Sequence, residues 1–168
     1  MNKTAIKNFA IWARRKLIKD VTNKCGILGI TEDGIAEPQK AANGMQIIGA
    51  GTPIEQRLFG DEIAQRNALV SKINEKKCSS DYKTAFRSVV EEVAYTWFNR
   101  LIAVRFMEVN DYLPTRTRVL SSIKPGKVEP DLITSPFDAD LKYTAYERDR
   151  IMQLKDGNKA DELFRMLF

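Results

Sequence analysis

The stretch VVEEVAYTWFNRLIAVRFMEVND, residues 89–111, decides how this chain is read. Val89, Val93, Trp97, Leu101 and Val104 recur at helical spacing. So do Val90, Ala94, Phe98, Ile102, Phe106 and Val109. The two sets cover adjoining faces, which makes the apolar surface wider than an ordinary amphipathic stripe and predicts a central helix buried in a larger body. Asn99, Arg100, Arg105 and Glu108 interrupt it, so no run reaches the roughly 18 uninterrupted apolar residues of a membrane span. Arg105 and Glu108 stand at i,i+3 and can pair along the helix. Arg100 has no opposite charge at i±3 or i±4. Its expected role is structural, a buried bond whose loss costs several kcal/mol.

Composition limits what such a body can be. The chain has 168 residues, 43% hydrophobic and 29% charged, as in a globular protein rather than a disordered one. A net charge of +5 permits an anionic partner such as nucleic acid. No histidine is present, which removes Ser-His-Asp and Cys-His nucleophiles, histidine bases and most zinc enzymes. Cys25 and Cys78 lie far apart without a CxxC partner, so they read as two reduced thiols of a cytoplasmic protein. The start, Met1 to Ala10, is a polar helix opening and not a signal peptide.

Upstream of the central helix, a first helix is expected over about Lys3 to Lys24. Ile6, Phe9, Ala10, Ala13, Leu17 and Val21 form its stripe, and Gly26 ends it. Lys7, Arg14, Arg15 and Lys19 project elsewhere, and Trp12 sits at the stripe's edge as a half-buried or docking side chain. Residues 27–59 are glycine-punctuated and read as an irregular insertion. It carries a short helix around Thr31 to Ala42, broken near Pro38, and a short extended piece over Met45 to Ile48. Gly49-Ala50-Gly51 resembles the start of a dinucleotide loop, but Ile54 occupies the third glycine's place, so a surface loop is the better reading. A second helix runs from Asp61, its cap, to about Lys77, with Ile63, Leu69, Val70 and Ile73 inward. Ser79 or Ser80 then caps the central helix. These elements predict a mainly α fold, a helical bundle around one long buried central helix.

Downstream, Leu113-Pro114 forces the chain out of helix, and residues 112–137 form a loop-rich basic segment. Its Arg116, Arg118, Lys124 and Lys127 suit phosphate contact or an ordinary solvated loop. Ser135-Pro136-Phe137 touches on the tetrapeptide of DNA amino-methyltransferases, but the second proline and a glycine-rich cofactor strand are missing. Phe137 is therefore expected to pack on the bundle. A further helix is predicted over Leu141 to Lys155, capped by Asp138 or Asp140, with Leu141, Ala145, Met152 and Leu154 as its apolar contacts. Asn158, with Asp161 at N3, opens a last helix holding Leu163, Phe164, Leu167 and Phe168. Such an apolar end either docks back into the bundle or marks a fragment of a longer chain, and the fragment is the favoured reading.

Three blocks carry a resemblance: MNKTAIKNFAIWARRKLIKDV (1–21), VAYTWFNRLIAVRFMEVNDYLPTR (93–116) and ADELFRMLF (160–168). Together they resemble the N-terminal region of the PglX (BrxX) family, the adenine-specific DNA methyltransferases of the BREX phage-exclusion system. The resemblance implies a much longer parent, with a Rossmann-like domain that binds S-adenosylmethionine and a downstream target-recognition domain. It implies methylation of adenine N6 at an asymmetric site for host DNA marking and phage defence. No Asn-Pro-Pro-Tyr tetrapeptide or cofactor glycine motif occurs in these residues, so no catalytic, cofactor-binding or metal residue is assigned here. S-adenosylmethionine would belong to the full-length protein.

The expectation is one non-catalytic helical N-terminal domain over 1–168, with the catalytic domain beyond residue 168. Its implied partners are the rest of the methyltransferase chain, double-stranded DNA and other BREX proteins, with no membrane. The residues expected to contact DNA are Arg14, Arg15 and Lys19 on the first helix, with Arg116, Arg118, Lys124 and Lys127. The alternative is a stand-alone helical adaptor that docks a protein partner through its apolar C-terminal helix. A catalytic reading would rest on Glu91 and Glu92. Adjacent helical positions point about 100° apart, so these two read as ion-pair partners instead.

Overall fold

Asn2 opens the chain's first helix, α1 (Lys3–Ile27), its side-chain oxygen accepting the Ala5 amide at 3.1 Å. That bond satisfies one of the amides a helix start leaves unpaired. The computed structural model describes residues 2–168. Gly26 lies within α1 rather than ending it, and the left-handed residue after the Leu28 cap is Gly29, at φ +71°. A Cβ at Gly29 would stand 2.5 Å from Ile48 Cγ2. Both the turn and the close approach therefore require glycine there.

Residues 28–59 are not irregular throughout. β1 (Ile30–Thr31) pairs antiparallel with β2 (Gly34–Ile35), placing Ile30 opposite Ile35. β3 (Gln39–Lys40), β4 (Gln46–Ile48) and β5 (Gln56–Leu58) form a second antiparallel sheet in that order, with Ile47 between Gln39 and Arg57. The expected helix over 31–42 is thus replaced by strands, while the extended piece near 45–48 is β4. Ile30, Ile48 and Leu58 are buried and fix these small sheets to the core.

α2 (Gly60–Lys77) starts after Phe59, and Asp61 lies in its first turn instead of capping it. Asp61 and Glu62 there, with Lys76 and Lys77 in the last turn, complement the helix dipole. α3 (Tyr82–Val109) is capped by Asp81 rather than Ser79 or Ser80: the Asp81 carboxylate accepts the Thr84 amide at 3.0 Å and the Thr84 hydroxyl at 2.6 Å.

Backbone contacts divide the chain into two compact units. One ends at Phe98, the other spans Asn99–Phe168, and α3 supplies residues to each. The first unit has the larger core. Cys25, Leu28, Ile30, Ile48, Leu58 and Ile73 meet Ala85, Phe86, Val89 and Val90 of α3, with Ile63, Leu69 and Val70 of α2 partly buried against them. The fold is mainly α, but the burial of α3 is concentrated in its first half. Among residues 99–109 only Glu108 is buried, and Ile102, Phe106 and Val109 are exposed.

The second unit is built from α4 (Asp131–Thr134), a 3₁₀ turn (Pro136–Ala139), α5 (Ala145–Asp156) and α6 (Ala160–Leu167). Its core is Ile151, Leu154 and Leu163, flanked by Ile133, Tyr143 and Leu167. α5 begins later than the sequence suggested. Thr144, not Asp138 or Asp140, caps it through a capping box: Thr144 Oγ1 accepts the Glu147 amide at 3.2 Å, and Glu147 Oε2 accepts the Thr144 amide at 2.7 Å. Leu141 and Met152, expected as contacts, are exposed. Asn158 does not cap α6. It takes a left-handed φ of +53°, and Lys159 precedes the helix without a side-chain cap. Leu163 and Leu167 dock α6 into this core, and the Phe164 and Phe168 rings stack at 5.2 Å.

Candidate nucleic-acid interface

The two groups of expected DNA-contacting cations fall in different units, and each divides further. On α1, Arg14 reaches across to Glu91 of α3 at 3.3 Å, while Arg15 and Lys19, at i,i+4, are exposed and have no ion pair among the described residues. Lys16 is held by Asp20 at 2.5 Å, and Lys24 stands 4.0 Å from Glu62. Trp12 is 60% exposed, its ring 6.0 Å from that of Phe9.

In the second unit, Arg118 and Lys127 turn inward to shape the loop. Arg118 is only 17% exposed at its side chain. It donates to the Glu108 carbonyl and to Asp111 Oδ1 at 3.1 Å. Lys127 Nζ donates to the Thr134 hydroxyl at 2.5 Å. Arg116, at φ +56°, and Lys124 are exposed without an ion pair among the described residues. The loop is further organised by Asp131, which accepts from the Ser122 hydroxyl at 2.6 Å and the Ile123 amide at 2.8 Å. Burial alone would raise the Asp131 pKa. The two hydrogen bonds and the charges of Lys127 and Lys124 outweigh it and hold the carboxyl below its ordinary value.

Among the described residues, each unit contains one buried charge. Arg66 of α2 is 4% exposed and donates to the carbonyls of Leu28 at 3.0 Å and Ala36 at 2.5 Å. Glu108 of α3 is 1% exposed. It accepts from the Leu120 amide at 2.5 Å, from Arg105 Nη1 at 2.9 Å and from the Ser121 hydroxyl at 3.3 Å. The Arg105–Glu108 pair expected from the sequence is therefore present, in a larger network. Arg100 is exposed rather than buried.

Glu91 and Glu92 are ion-pair partners whose carboxylates diverge. Glu91 meets Arg14, whereas Glu92 takes Lys72 at 2.5 Å and Lys76 at 2.9 Å. The Lys72 and then the Lys76 hydrogen bonds hold the Glu92 carboxyl down to about 2. No group of three His, Cys, Asp or Glu side chains among the described residues could hold a metal ion. Burial pushes the Cys25 thiol up, while Cys78 is exposed, and both are free.

The Gly49–Gly51 turn does not fit a nucleotide. It joins two antiparallel strands, no helix begins at it, and the Gly51 amide donates to the Glu55 carboxylate at 3.1 Å. An anion is already seated where a phosphate would have to bind. Nor do these residues fit S-adenosylmethionine, since the strands here are antiparallel and the first βα turn of a parallel sheet is what cradles such a cofactor. Phe137 does not flank a base pocket. It packs edge-on against Tyr143 at 5.9 Å, and the Arg148 guanidinium lies 5.9 Å from its ring centre. Among the described residues, no helix is long and apolar enough to cross a membrane.

No protein-family model matches the chain, and no solved structure matches it. Two curated proteins do. The chain is 39% identical, over its whole length, to the adenine-specific methyltransferase PglX of Lacticaseibacillus casei (strain Zhang), covering 14% of that protein. It is 31% identical, over 99% of its length, to the adenine-specific methyltransferase BrxX of Escherichia coli O9:H4 (strain HS), covering 13% of that one. Both alignments run essentially the whole length of the chain, which is thus similar to a stretch of these PglX/BrxX proteins and spans about one-seventh of their length.

Proposed function

We propose that this chain is the non-catalytic, helical N-terminal domain of a BREX-type adenine-N6 DNA methyltransferase. The whole enzyme would use S-adenosylmethionine to mark host DNA in the cytoplasm and support phage exclusion. The domain would pack on the rest of that polypeptide, help hold duplex DNA, and offer surface to other BREX proteins. The observation that carries the reading is the end-to-end identity to two methyltransferases roughly seven times longer. The side chains support a non-catalytic part. The adjacent carboxylates Glu91 and Glu92 are committed to Arg14, Lys72 and Lys76. A holding role is supported by Arg15, Lys19, Arg116 and Lys124, which reach solvent without an internal ion pair among the described residues.

The test is genetic. The coding region for these residues is removed in frame from the chromosomal gene, and the adenine methylation of the cell's DNA is read by long-read sequencing. The expected result is loss of methylation at one asymmetric site, restored by the intact gene. Unchanged adenine methylation would overturn the reading.

A further inference from the structure

α1 concentrates the charge of the chain. Seven of its residues are Lys or Arg and one is Asp, a net +6 against +5 for all 168 residues. The cations that stay unpaired are ordered. Lys3, Lys7, Arg15 and Lys19 fall on a single row of four-residue steps, completed by Ile11 and Asn23, and every member is exposed. Such a row is a continuous ridge on a helix. From Lys3 to Lys19 it rises about 24 Å along the axis and turns about 160° around it, so that the four cations flank Ile11 on both sides within about 80°. None of its four cations has an ion pair or a side-chain hydrogen bond among the described residues, whereas Arg14, Lys16 and Lys24, off the ridge, each have an acidic partner.

This arrangement opposes the helix's own stability. Like charges at i,i+4 repel, as Lys3 does Lys7 and Arg15 does Lys19. Lys3 and Lys7 also stand near the positive end of the helix dipole, and no acidic residue occupies the first turn to offset them. A polyanion laid along the ridge would relieve each of these repulsions.

We infer that the α1 ridge of Lys3, Lys7, Arg15 and Lys19 binds the phosphate backbone of duplex DNA without reading its sequence. The inference rests on the function proposed above and gives its DNA-holding role a surface. The row's axial rise of about 24 Å corresponds to roughly seven base pairs at 3.4 Å each, and its long side chains reach phosphates to either side of the line of contact through Ile11. Sequence-independence follows because lysine and arginine on one convex row meet phosphates, not base edges. A membrane surface is the weaker fit: α1 segregates its apolar and polar residues poorly, whereas a helix that lies on lipid has one sustained apolar face.

The experiment uses the native protein that carries this chain and follows its binding to a labelled duplex by fluorescence anisotropy across a salt series. Lys3, Lys7, Arg15 and Lys19 are changed to Gln together and in the pairs K3Q/K7Q and R15Q/K19Q. A control changes four exposed cations elsewhere, K40Q/K77Q/K142Q/R165Q. The expected slope of log affinity against log salt falls by about three to four for the ridge variant and about two for each pair, at ~0.9 per phosphate contact. The control should stay within about one unit of the parent. Melting temperatures of the ridge variants should equal or exceed the parent's, and a drop would show the cations serving stability instead. Equal slope losses in ridge and control variants, or an unchanged slope in the ridge variant, would overturn the inference. So would binding to anionic phosphatidylserine vesicles without binding to duplex. Because methylation is not the readout, failure here is distinguishable from failure of the methyltransferase assignment.

Discussion

Two segments outside the long helices, 28–59 in the first unit and 112–137 in the second, are each fastened by one buried charge from a neighbouring helix, with opposite signs. Arg66 donates outward to two backbone carbonyls, those of Leu28 and Ala36. Glu108 accepts inward from a backbone amide, that of Leu120, with Arg105 and Ser121 beside it. The cation fastens a segment that has its own ladders, two small antiparallel sheets with buried Ile30, Ile48 and Leu58. The anion fastens one with no strand or helix of its own over residues 112–130, most of its length. The difference teaches where each segment's order comes from. The first has apolar anchors to fall back on. The second depends on the carboxylate, on Arg118 bridging the Glu108 carbonyl and Asp111, and on Asp131.

Removing each charge would break the comparison most directly. Glu108→Ala strands the Leu120 amide and is expected to cost about 3–4 kcal/mol in chemical denaturation. Protection of the 112–137 amides from hydrogen exchange should fall with it. A cost under about 1 kcal/mol would show the second segment to be held by something else. Arg66→Ala leaves the Leu28 and Ala36 carbonyls without their donor and is expected to cost about 2–3 kcal/mol. Here exchange protection should persist in β4 and β5, because their ladder and apolar anchors remain. If those strands lose protection as completely as 112–137 does in the Glu108 variant, the two segments do not differ as argued.

Smaller effects sharpen the contrast between buried and surface charge. The Glu92 carboxyl is held down to about 2 by Lys72 and Lys76, yet its side chain is 43% exposed. A depressed folded-state pKa contributes stability above the ordinary carboxylate value, and that contribution is lost as pH falls toward about 2. Solvent screening limits it to about 1 kcal/mol or less. Glu92→Gln should therefore lower stability slightly at neutral pH and flatten its decline between about pH 4.5 and 2. An unchanged acid limb in melting experiments would contradict the pairing. Smallest of all is Arg100→Ala. Because Arg100 is exposed, its expected cost is below about 1 kcal/mol, not the several expected of a buried guanidinium. A larger loss by denaturant titration would restore Arg100 as an anchor.

Much of the helical framework was legible, because its apolar residues recur with the period of a helix. The strands were not. Two or three residues cannot display an alternation, and pairing such as Gln46 with Leu58 is set by tertiary packing. The sequence points to Gly26 as the end of α1, but the chain turns left-handed at Gly29, and the approach of Ile48 that requires glycine there is a tertiary contact. The Thr144–Glu147 capping box stands in the sequence as Thr-x-x-Glu, and the nearby aspartates compete with it as caps. Arg66 was invisible for a different reason. Its partners are carbonyls 38 and 30 residues away, and a carbonyl leaves no mark in a sequence. The breadth of the apolar surface on α3 was read correctly as a pattern, but its second half is not covered within these residues. At the candidate interface, Arg15 and Lys19 have no ion pair among the described residues, while Arg14, Arg118 and Lys127 have internal partners. For Lys3 and Lys7 the signal in the sequence is their four-residue spacing with Arg15 and Lys19.

The central claim, that this chain is one domain of a much longer methyltransferase, is tested most directly by the mass of the native protein. An antibody raised to residues 2–168 would be used to blot a source-cell extract. A species several times larger than 19.1 kDa is expected, with the chain's own mass absent. A single species at 19.1 kDa would contradict it and leave a stand-alone helical adaptor in its place.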